Sequence, residues 1–320
     1  MSRPPSRHLL LRAVCLSAVL TGAAWCTIVP LKAAASGPDE FYAPLLNRLS
    51  GAFREELHEL IDDRVSISYD DTVDTLRWAD RVALTPSLVL DLYSANTFLA
   101  VPPEGERRSW DREHVWPDSH GYDGDIESGR CNVPLTDAHM LFVADRIINQ
   151  NHHGDRFYDD GPDCPPIGGL GGDLNRRCVE SFEVWRQRRG DVARAMFYAD
   201  VRYDGGSNQA RVPGTFRGPR DRDGHCLEPD LVLTNTISAI TPTLTTTGTA
   251  HMGVLQTLLR WHFEDPVDAR DRQHNEAVDV EQTNRNPFID HPDWVCRVWP
   301  EELPCHVRRF AFLPILQRSN

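Results

Sequence analysis

The segment Arg112–Pro117, with the sequence REHVWP, constrains the fold more than any other stretch of the chain. It reads as a short β-strand that the proline ends, because proline cannot continue the hydrogen-bond ladder of a sheet. Successive side chains of a strand point to opposite faces, so Glu113 and His114 cannot act from the same side. We therefore expect one of them to hold a metal ion and the other to move a proton. The alternative is a half-buried strand whose Glu–His pair has no catalytic role.

A second motif lies far downstream at Asn284–Pro292, with the sequence NRNPFIDHP. Shorter pieces stand in a fixed order along the chain, at Asp91–Ser94, Trp110, Asp137–His139, Asn149, Gly190–Ala195, Phe197–Tyr198, Arg202–Tyr203, Leu258–His262 and Asp265–Val267. Together they resemble the bacterial endonuclease I family of secreted, metal-dependent, sequence-nonspecific nucleases. The resemblance spans about residues 40–300. The two long motifs are specific, whereas the short pieces count only because of their order.

The resemblance implies an α+β fold: a mainly helical single domain around a ββα-metal core, or His-Me finger, stabilised by disulfides. Apolar spacing and capping residues predict further elements of this domain. They are an amphipathic helix over 41–61, strands at 66–69 and 112–116, a helix from Thr136-Asp137 to about Asn149, a loop over 159–175, a helix from Ser181 to about Tyr203, and a last helix that starts at Asp265-Pro266.

By resemblance, His114 matches the general base of the family, and Glu113 and Asn149 match its metal ligands. A neutral imidazole has a pKa near working pH and can deprotonate a water molecule. Two oxygen donors suit Mg²⁺, or another divalent cation such as Ca²⁺ or Mn²⁺, with water and phosphate in the other positions. Arg130 follows a Gly-rich loop and is the candidate for stabilising the phosphate; a plain surface arginine is the alternative. Without the family, Asn149 reads as a helix C-cap.

Two residues and one motif are expected to support the site. Arg112 is predicted to be structural or to contact phosphate, and His139 to pack behind the site. The segment Asn284–Pro292 is predicted to form a hydrogen-bonded scaffold, because polar groups packed against a catalytic core need partners.

The chain departs from the family pattern directly after Asn149. Relatives usually continue with Ser, an Arg, Gly and Asn, whereas residues 150–155 read QNHHGD. Either His152 or Arg156 takes the place of that arginine. The departure concerns the contacts to substrate and leaves Glu113 and His114 in place.

Residues 1–35 are predicted to be an export signal. Three arginines precede an apolar run from Ala13 to about Leu31, and three alanines then offer a cleavage site before Ser36. The alternative is an uncleaved membrane anchor, because the run approaches the length of a membrane span. We expect a nuclease domain of residues 36–320 that is secreted or periplasmic, monomeric and not stably associated with a membrane.

Six cysteines lie beyond the predicted signal. An even number in an exported chain favours disulfides, with buried free thiols as the alternative. Closeness in sequence and flanking loop residues predict two pairs, and the third follows as the remainder. These pairs are Cys164–Cys178, Cys296–Cys305 and Cys131–Cys226.

The net charge of −13 means that phosphate binding must depend on local positive charge. The only lysine, Lys32, lies in the predicted signal, so the basic groups of the mature chain are arginines, histidines and the N-terminus. Arginine suits phosphate contacts, but genome composition is the favoured explanation for this bias. The leading hypothesis is an exported, metal-dependent endonuclease that cleaves DNA, with RNA as a further substrate. Two alternatives stay open. One is a nucleic-acid-binding protein that kept the fold and lost activity; the other is a zinc hydrolase, although the chain has no HExxH motif.

Overall fold

The structure is a computed structural model that describes residues 37–46, 52–122, 133–161, 164–168, 174–208, 221–243 and 248–305. Its α-helices are α1 (Pro38–Phe41), α2 (Phe53–Ile61), α3 (Asp71–Ala79), α4 (Arg189–Arg202), α5 (Leu255–Glu264), α6 (Ala269–Gln282), α7 (Pro287–Asp290) and α8 (Val295–Val298). Short 3-10 turns lie at Pro134–Thr136, Ala138–Met140, Ile237–Ala239 and Pro292–Trp294, and a π-helix lies at Ile148–His153.

The strands form small sheets. They are β1 (Arg81–Val82), β2 (Thr85–Leu90), β3 (Thr97–Leu99), β4 (Trp110–His114), β5 (Leu141–Asp145), β6 (Phe157–Tyr158), β7 (Arg176–Arg177), β8 (Ser181–Glu183), β9 (Ser207–Asn208), β10 (Cys226–Leu227), β11 (Asp230–Leu233) and β12 (Thr249–Met252). The strand orders are β1-β2-β3, β4-β5, β6-β8-β7, β9-β10 and a parallel β11-β12 pair. Helices and sheets together form one mixed domain, which confirms the predicted α+β class.

Helix α4 lies at the centre of the core, and every residue from Arg189 to Arg202 is buried. It packs against α2, α5 and α7. Charged groups inside a protein need partners. The Arg194 guanidinium therefore lies 2.8 Å from the Asp271 carboxylate of α6, and Arg202 forms two hydrogen bonds of 2.6 and 2.9 Å with Glu228.

The prediction that a last helix starts at Asp265-Pro266 was wrong, because Asp265 instead contacts the start of α4. Asp265 does not cap that helix: it ends α5, and its side chain accepts a 2.9 Å hydrogen bond from the backbone of Gly190. Glycine is required there because a Cβ atom would collide with the Asp265 carbonyl. Helix α6 begins three residues later than predicted, at Ala269, where Asp268 and Asp271 form a capping box. Helices α7 and α8 then follow it.

Two N-terminal predictions were wrong in part. The helix predicted over 41–61 is interrupted, because Pro44 has no N–H for the helical ladder. The prediction that its apolar side chains pack on the core was correct, since Leu45, Phe53 and Leu57 are buried. No strand forms at 66–69 among these described residues; the Ser68 hydroxyl instead accepts a hydrogen bond from Asp71 at the start of α3.

The helix predicted from Ser181 to Tyr203 was correct only in its second part. Residues Ser181–Glu183 form strand β8 between β6 and β7, and α4 begins at Arg189.

Disulfides join Cys164 to Cys178 and Cys296 to Cys305, as predicted. Cys226 is disulfide-bonded as well. Its expected partner, Cys131, lies outside the described residues, so this pairing stays a prediction. The export signal also lies outside them. Over the ranges that are described, no helix combines the length and apolarity needed to cross a membrane.

Candidate active site

The motif strand β4 pairs antiparallel with β5, with Glu113 opposite Phe142 and His114 opposite Leu141. The helix predicted from Thr136-Asp137 to Asn149 was therefore wrong. Asp137 does cap, accepting a hydrogen bond from the His139 backbone, but the capped element is a single 3-10 turn. The buried run Leu141–Ala144 then continues as a strand because it pairs with β4.

Glu113 and His114 occupy different environments, as strand alternation predicted. Only 1% of the Glu113 surface is exposed, whereas His114 is half-buried. The two side chains lie on opposite faces of β4, so their surroundings can be considered separately.

The Nε2 atom of His114 lies 3.0 Å from the carbonyl oxygen of Leu135. A carbonyl oxygen only accepts, so Nε2 carries the hydrogen and the neutral ring keeps a lone pair on Nδ1. Burial lowers the pKa of His114, and the hydrogen bond to Leu135 partly opposes this effect. The ring also lies parallel to that of Tyr69, with centroids 6.2 Å apart. This arrangement leaves an oriented imidazole nitrogen that can accept a proton.

The Glu113 carboxylate faces a buried cluster of aromatic side chains. Its Oε1 accepts a 2.8 Å hydrogen bond from the Tyr93 hydroxyl and lies 2.6 Å from Nδ1 of His153. Tyr158 stacks on His153, with ring centroids 4.7 Å apart, and its hydroxyl lies 3.1 Å from that of Tyr93. The other oxygen, Oε2, is buried and has no hydrogen-bond partner among the described residues. One carboxylate oxygen is thus held by its neighbours and the other is free for a ligand.

Asn149 lies in the π-helix that follows β5, an element that is rare and often found at functional sites. Its Nδ2 donates a 3.1 Å hydrogen bond to the carbonyl of Arg112, the residue before Glu113. The amide is thereby anchored through its nitrogen, and its oxygen Oδ1 stays available. The structure thus ties Asn149 to the backbone of β4 directly before Glu113. His114 lies on the opposite face of this strand, and Arg130 lies outside the described residues.

The comparisons with known proteins decide the family. The family model described as Endonuclease I matches residues 50–223 and 231–293. This chain belongs to the endonuclease I family. An extracellular ribonuclease of Bacillus amyloliquefaciens is 32% identical over 263 residues, which cover 82% of this chain and 78% of the relative. An extracellular ribonuclease of Bacillus subtilis (strain 168) is 31% identical over 264 residues, which cover 82% of this chain and 79% of the relative. The protein is a nuclease, and the resemblance of the motifs is confirmed.

Sequence reasoning missed two groups that contact Glu113 of this endonuclease I family member, Tyr93 and His153. Tyr93 belongs to one of the short pieces that resemble the family, but nothing in the sequence indicated its contact with Glu113. His153 lies in the segment that departs from the family pattern, and its side chain is fully buried beside Glu113. Both contacts join residues that are distant in sequence.

Arg112 has the structural role that was one of its two predicted roles. Its guanidinium donates hydrogen bonds to the Tyr69 carbonyl and, at 3.1 Å, to the Thr72 hydroxyl. It also lies 3.4 Å from the centre of the Tyr69 ring. These contacts tie β4 to the start of α3.

The motif Asn284–Pro292 forms the predicted hydrogen-bonded scaffold of the endonuclease. Arg285 pairs with Asp279 and Asp290 at 3.0 and 2.8 Å. Asn286 caps α7 and donates a 3.0 Å hydrogen bond to the Arg194 carbonyl of α4. The backbone carbonyl of Asn284 accepts a 3.1 Å hydrogen bond from Nε2 of His139. His139 is buried, so its predicted packing role is confirmed.

The atypical segment after Asn149 borders an open cavity of about 1130 Å³. His152, Arg156 and Arg177 all line it. Burial lowers the pKa of His152, and the positive charges of Arg177 and Arg156 lower it further. Both candidates for the missing family arginine therefore lie at the same cavity.

Proposed function

We propose that this nuclease is an exported, divalent-metal-dependent endonuclease that hydrolyses phosphodiester bonds of DNA and RNA without sequence preference. The observation that carries the proposal is the adjacent pair on β4: Leu135 orients the His114 ring, and one buried oxygen of Glu113 has no hydrogen-bond partner among the described residues. The order β4, β5 and the helix of Asn149 supports a ββα-metal core. The relatives are named extracellular ribonucleases, which supports export and activity on RNA.

His114 acts in this proposal as the general base. Its Nε2–H is committed to Leu135, so Nδ1 takes the proton from the attacking water. A lowered pKa keeps the ring neutral, and hence able to accept a proton, at working pH. The rigid contact also holds the ring in one orientation, which favours attack on a phosphate placed beside it.

Glu113 and Asn149 would hold the metal. The buried, unpartnered Oε2 of Glu113 and the Oδ1 of Asn149 fit a hard cation, because Mg²⁺, Ca²⁺ and Mn²⁺ prefer oxygen donors. A bound divalent ion would neutralise charge on the phosphate and on the leaving oxygen. Among the described residues, no group of three or more His, Cys, Asp and Glu side chains could hold a metal. The proposed site has only two protein ligands, which is common for Mg²⁺.

Nicking of supercoiled plasmid and cleavage of single-stranded RNA test the proposal. With Mg²⁺ both substrates should be cut at many positions, and EDTA should stop both reactions. The His114→Ala variant is the control, because it keeps both proposed metal ligands. Cleavage that continues in EDTA, or at one recognition sequence only, would contradict the proposed mechanism. Binding without cleavage would instead support the alternative of an inactive nucleic-acid-binding protein.

A further inference from the structure

Four arginines surround a second cavity of about 650 Å³ in a protein whose net charge is −13. They are Arg77, Arg107, Arg108 and Arg146, and the cavity is also lined by the carboxylates of Glu106 and Asp111. The lining therefore carries four positive charges against two negative ones. Such a local excess of positive charge attracts an anion even when the whole protein is acidic.

The arginines are held in place by their neighbours. Arg146 contacts Asp111 at 3.2 Å and donates a 2.8 Å hydrogen bond to the Arg108 carbonyl. Arg77 donates a 2.9 Å hydrogen bond to the Ala100 carbonyl. The Arg108 guanidinium stands 4.7 Å from the centre of the Trp110 ring, and its Nη1 is buried without a hydrogen-bond partner. The cavity thus contains an oriented donor that no described group uses.

Like charges crowd each other at this cavity. The pKa of Arg108 is lowered by burial and by the positive charge of Arg77. A bound anion would relieve both effects, because it would pair with the buried guanidinium and offset the repulsion.

The cavity lies next to the proposed metal ligands. Asp111 stands two residues before Glu113 on β4, so both side chains point to the same face, about 7 Å apart along the strand. Gln150, the neighbour of Asn149, also lines the cavity and donates a 2.8 Å hydrogen bond to Asp111. An anion bound here would therefore lie close to the proposed metal ligands Glu113 and Asn149.

We propose that this arginine cavity binds a phosphate of the nucleic-acid backbone next to the scissile one. The inference rests on the proposed nuclease function, and it adds to that function a phosphate-binding subsite at the arginine cavity. Arginine suits the role because its guanidinium can bind phosphate through two parallel hydrogen bonds. Contacts of this kind position the strand and carry no base information, so they serve DNA and RNA equally.

Binding can be measured apart from cleavage, in EDTA and in a His114→Ala background. The probe is a labelled single-stranded oligonucleotide of about ten nucleotides, long enough to extend beyond the reacting phosphate. The double variant Arg107→Gln, Arg108→Gln removes two guanidinium groups from the cavity. The matched control is Arg186→Gln, Arg272→Gln, which removes two exposed arginines outside it.

The double variant should bind about tenfold more weakly, since hydrogen bonds between charged partners are lost. The slope of log affinity against log salt should become shallower by about 0.7 for each lost phosphate contact. The control pair should show neither loss. The single variant Arg107→Gln changes an exposed side chain and should give a smaller loss in the same direction, which guards against misfolding of the double variant.

Unchanged affinity in the double variant, or an equal loss in the control pair, would overturn the proposal. Titration with inorganic phosphate distinguishes the two sources of phosphate. Tighter binding of inorganic phosphate than of the oligonucleotide would make the cavity a site for the free anion and would also overturn the proposal. Because the assay needs no cleavage, a failure of the metal-dependent mechanism leaves its result interpretable.

Discussion

The imidazole of His114 is tied to the backbone carbonyl of Leu135 through an Nε2–O distance of 3.0 Å, and the adjacent Glu113 faces the other way. One strand thereby presents an imidazole nitrogen on one side and a carboxylate oxygen on the other. The two roles should separate when each residue is replaced in turn.

His114→Ala should reduce the cleavage rate by roughly 10²–10⁴-fold, the usual contribution of a general base, and leave metal affinity largely unchanged. Glu113→Gln should instead weaken metal binding as well as cleavage, because it removes the charged ligand. Calorimetric metal titrations and nicking rates on both variants measure the difference. Wild-type activity in His114→Ala would show that His114 is not the general base and that its role is structural.

Tyr93→Phe should weaken metal binding about tenfold or more, because the lost hydroxyl orients the Glu113 carboxylate. The matched control is Tyr158→Phe, since the Tyr158 hydroxyl contacts Tyr93 and not Glu113 among the contacts described. The same calorimetric titration applies to both. If the two variants bind the metal equally well, the Tyr93 contact has no positioning role.

Acid should destabilise the protein through His139. Burial lowers the pKa of His139 from 6.5 to about 4 in the folded protein. Between these values the unfolded chain binds a proton that the folded protein does not, so the free energy of unfolding falls as pH falls. The loss amounts to about 3 kcal/mol by pH 4 and is absent above pH 7.

Urea unfolding between pH 7 and pH 4 measures this dependence. His139→Gln should flatten it, because glutamine keeps a hydrogen-bond donor for the Asn284 carbonyl and does not titrate. An equally steep dependence in the variant would assign the acid sensitivity to other groups.

Mass mapping of the oxidised protein should find Cys131 joined to Cys226, in addition to the two disulfides described above. Reduction should lower the melting temperature, since each disulfide typically stabilises by about 2–4 kcal/mol. Replacing Cys296 and Cys305 together by serine should cause part of this loss, because the bond anchors the turn after α8. Finding Cys131 or Cys226 as a free thiol would contradict the predicted pairing.

The alternation of side chains along β4 was predictable, because it depends only on neighbours in the sequence. The strand β5 was not, since its pairing with β4 joins residues about thirty positions apart, and the capping signal of Asp137 pointed to a helix instead. The disulfides between nearby cysteines were predictable for the same local reason. The contacts of Glu113 with Tyr93 and His153 arise only when distant segments fold together.

Two buried ion pairs, one of them made by the last residue of α4, have a consequence for alkaline surroundings. Arg64 and Arg202 are fully buried and face Asp137 and Glu228. A lysine in either place would lose its proton as the pH rose past about 10 and leave the carboxylate unpaired in the interior. Guanidinium keeps its charge far beyond that point, and the described residues contain no lysine. These two buried ion pairs therefore keep both charges at an alkaline pH at which a buried lysine–carboxylate pair would lose its positive charge.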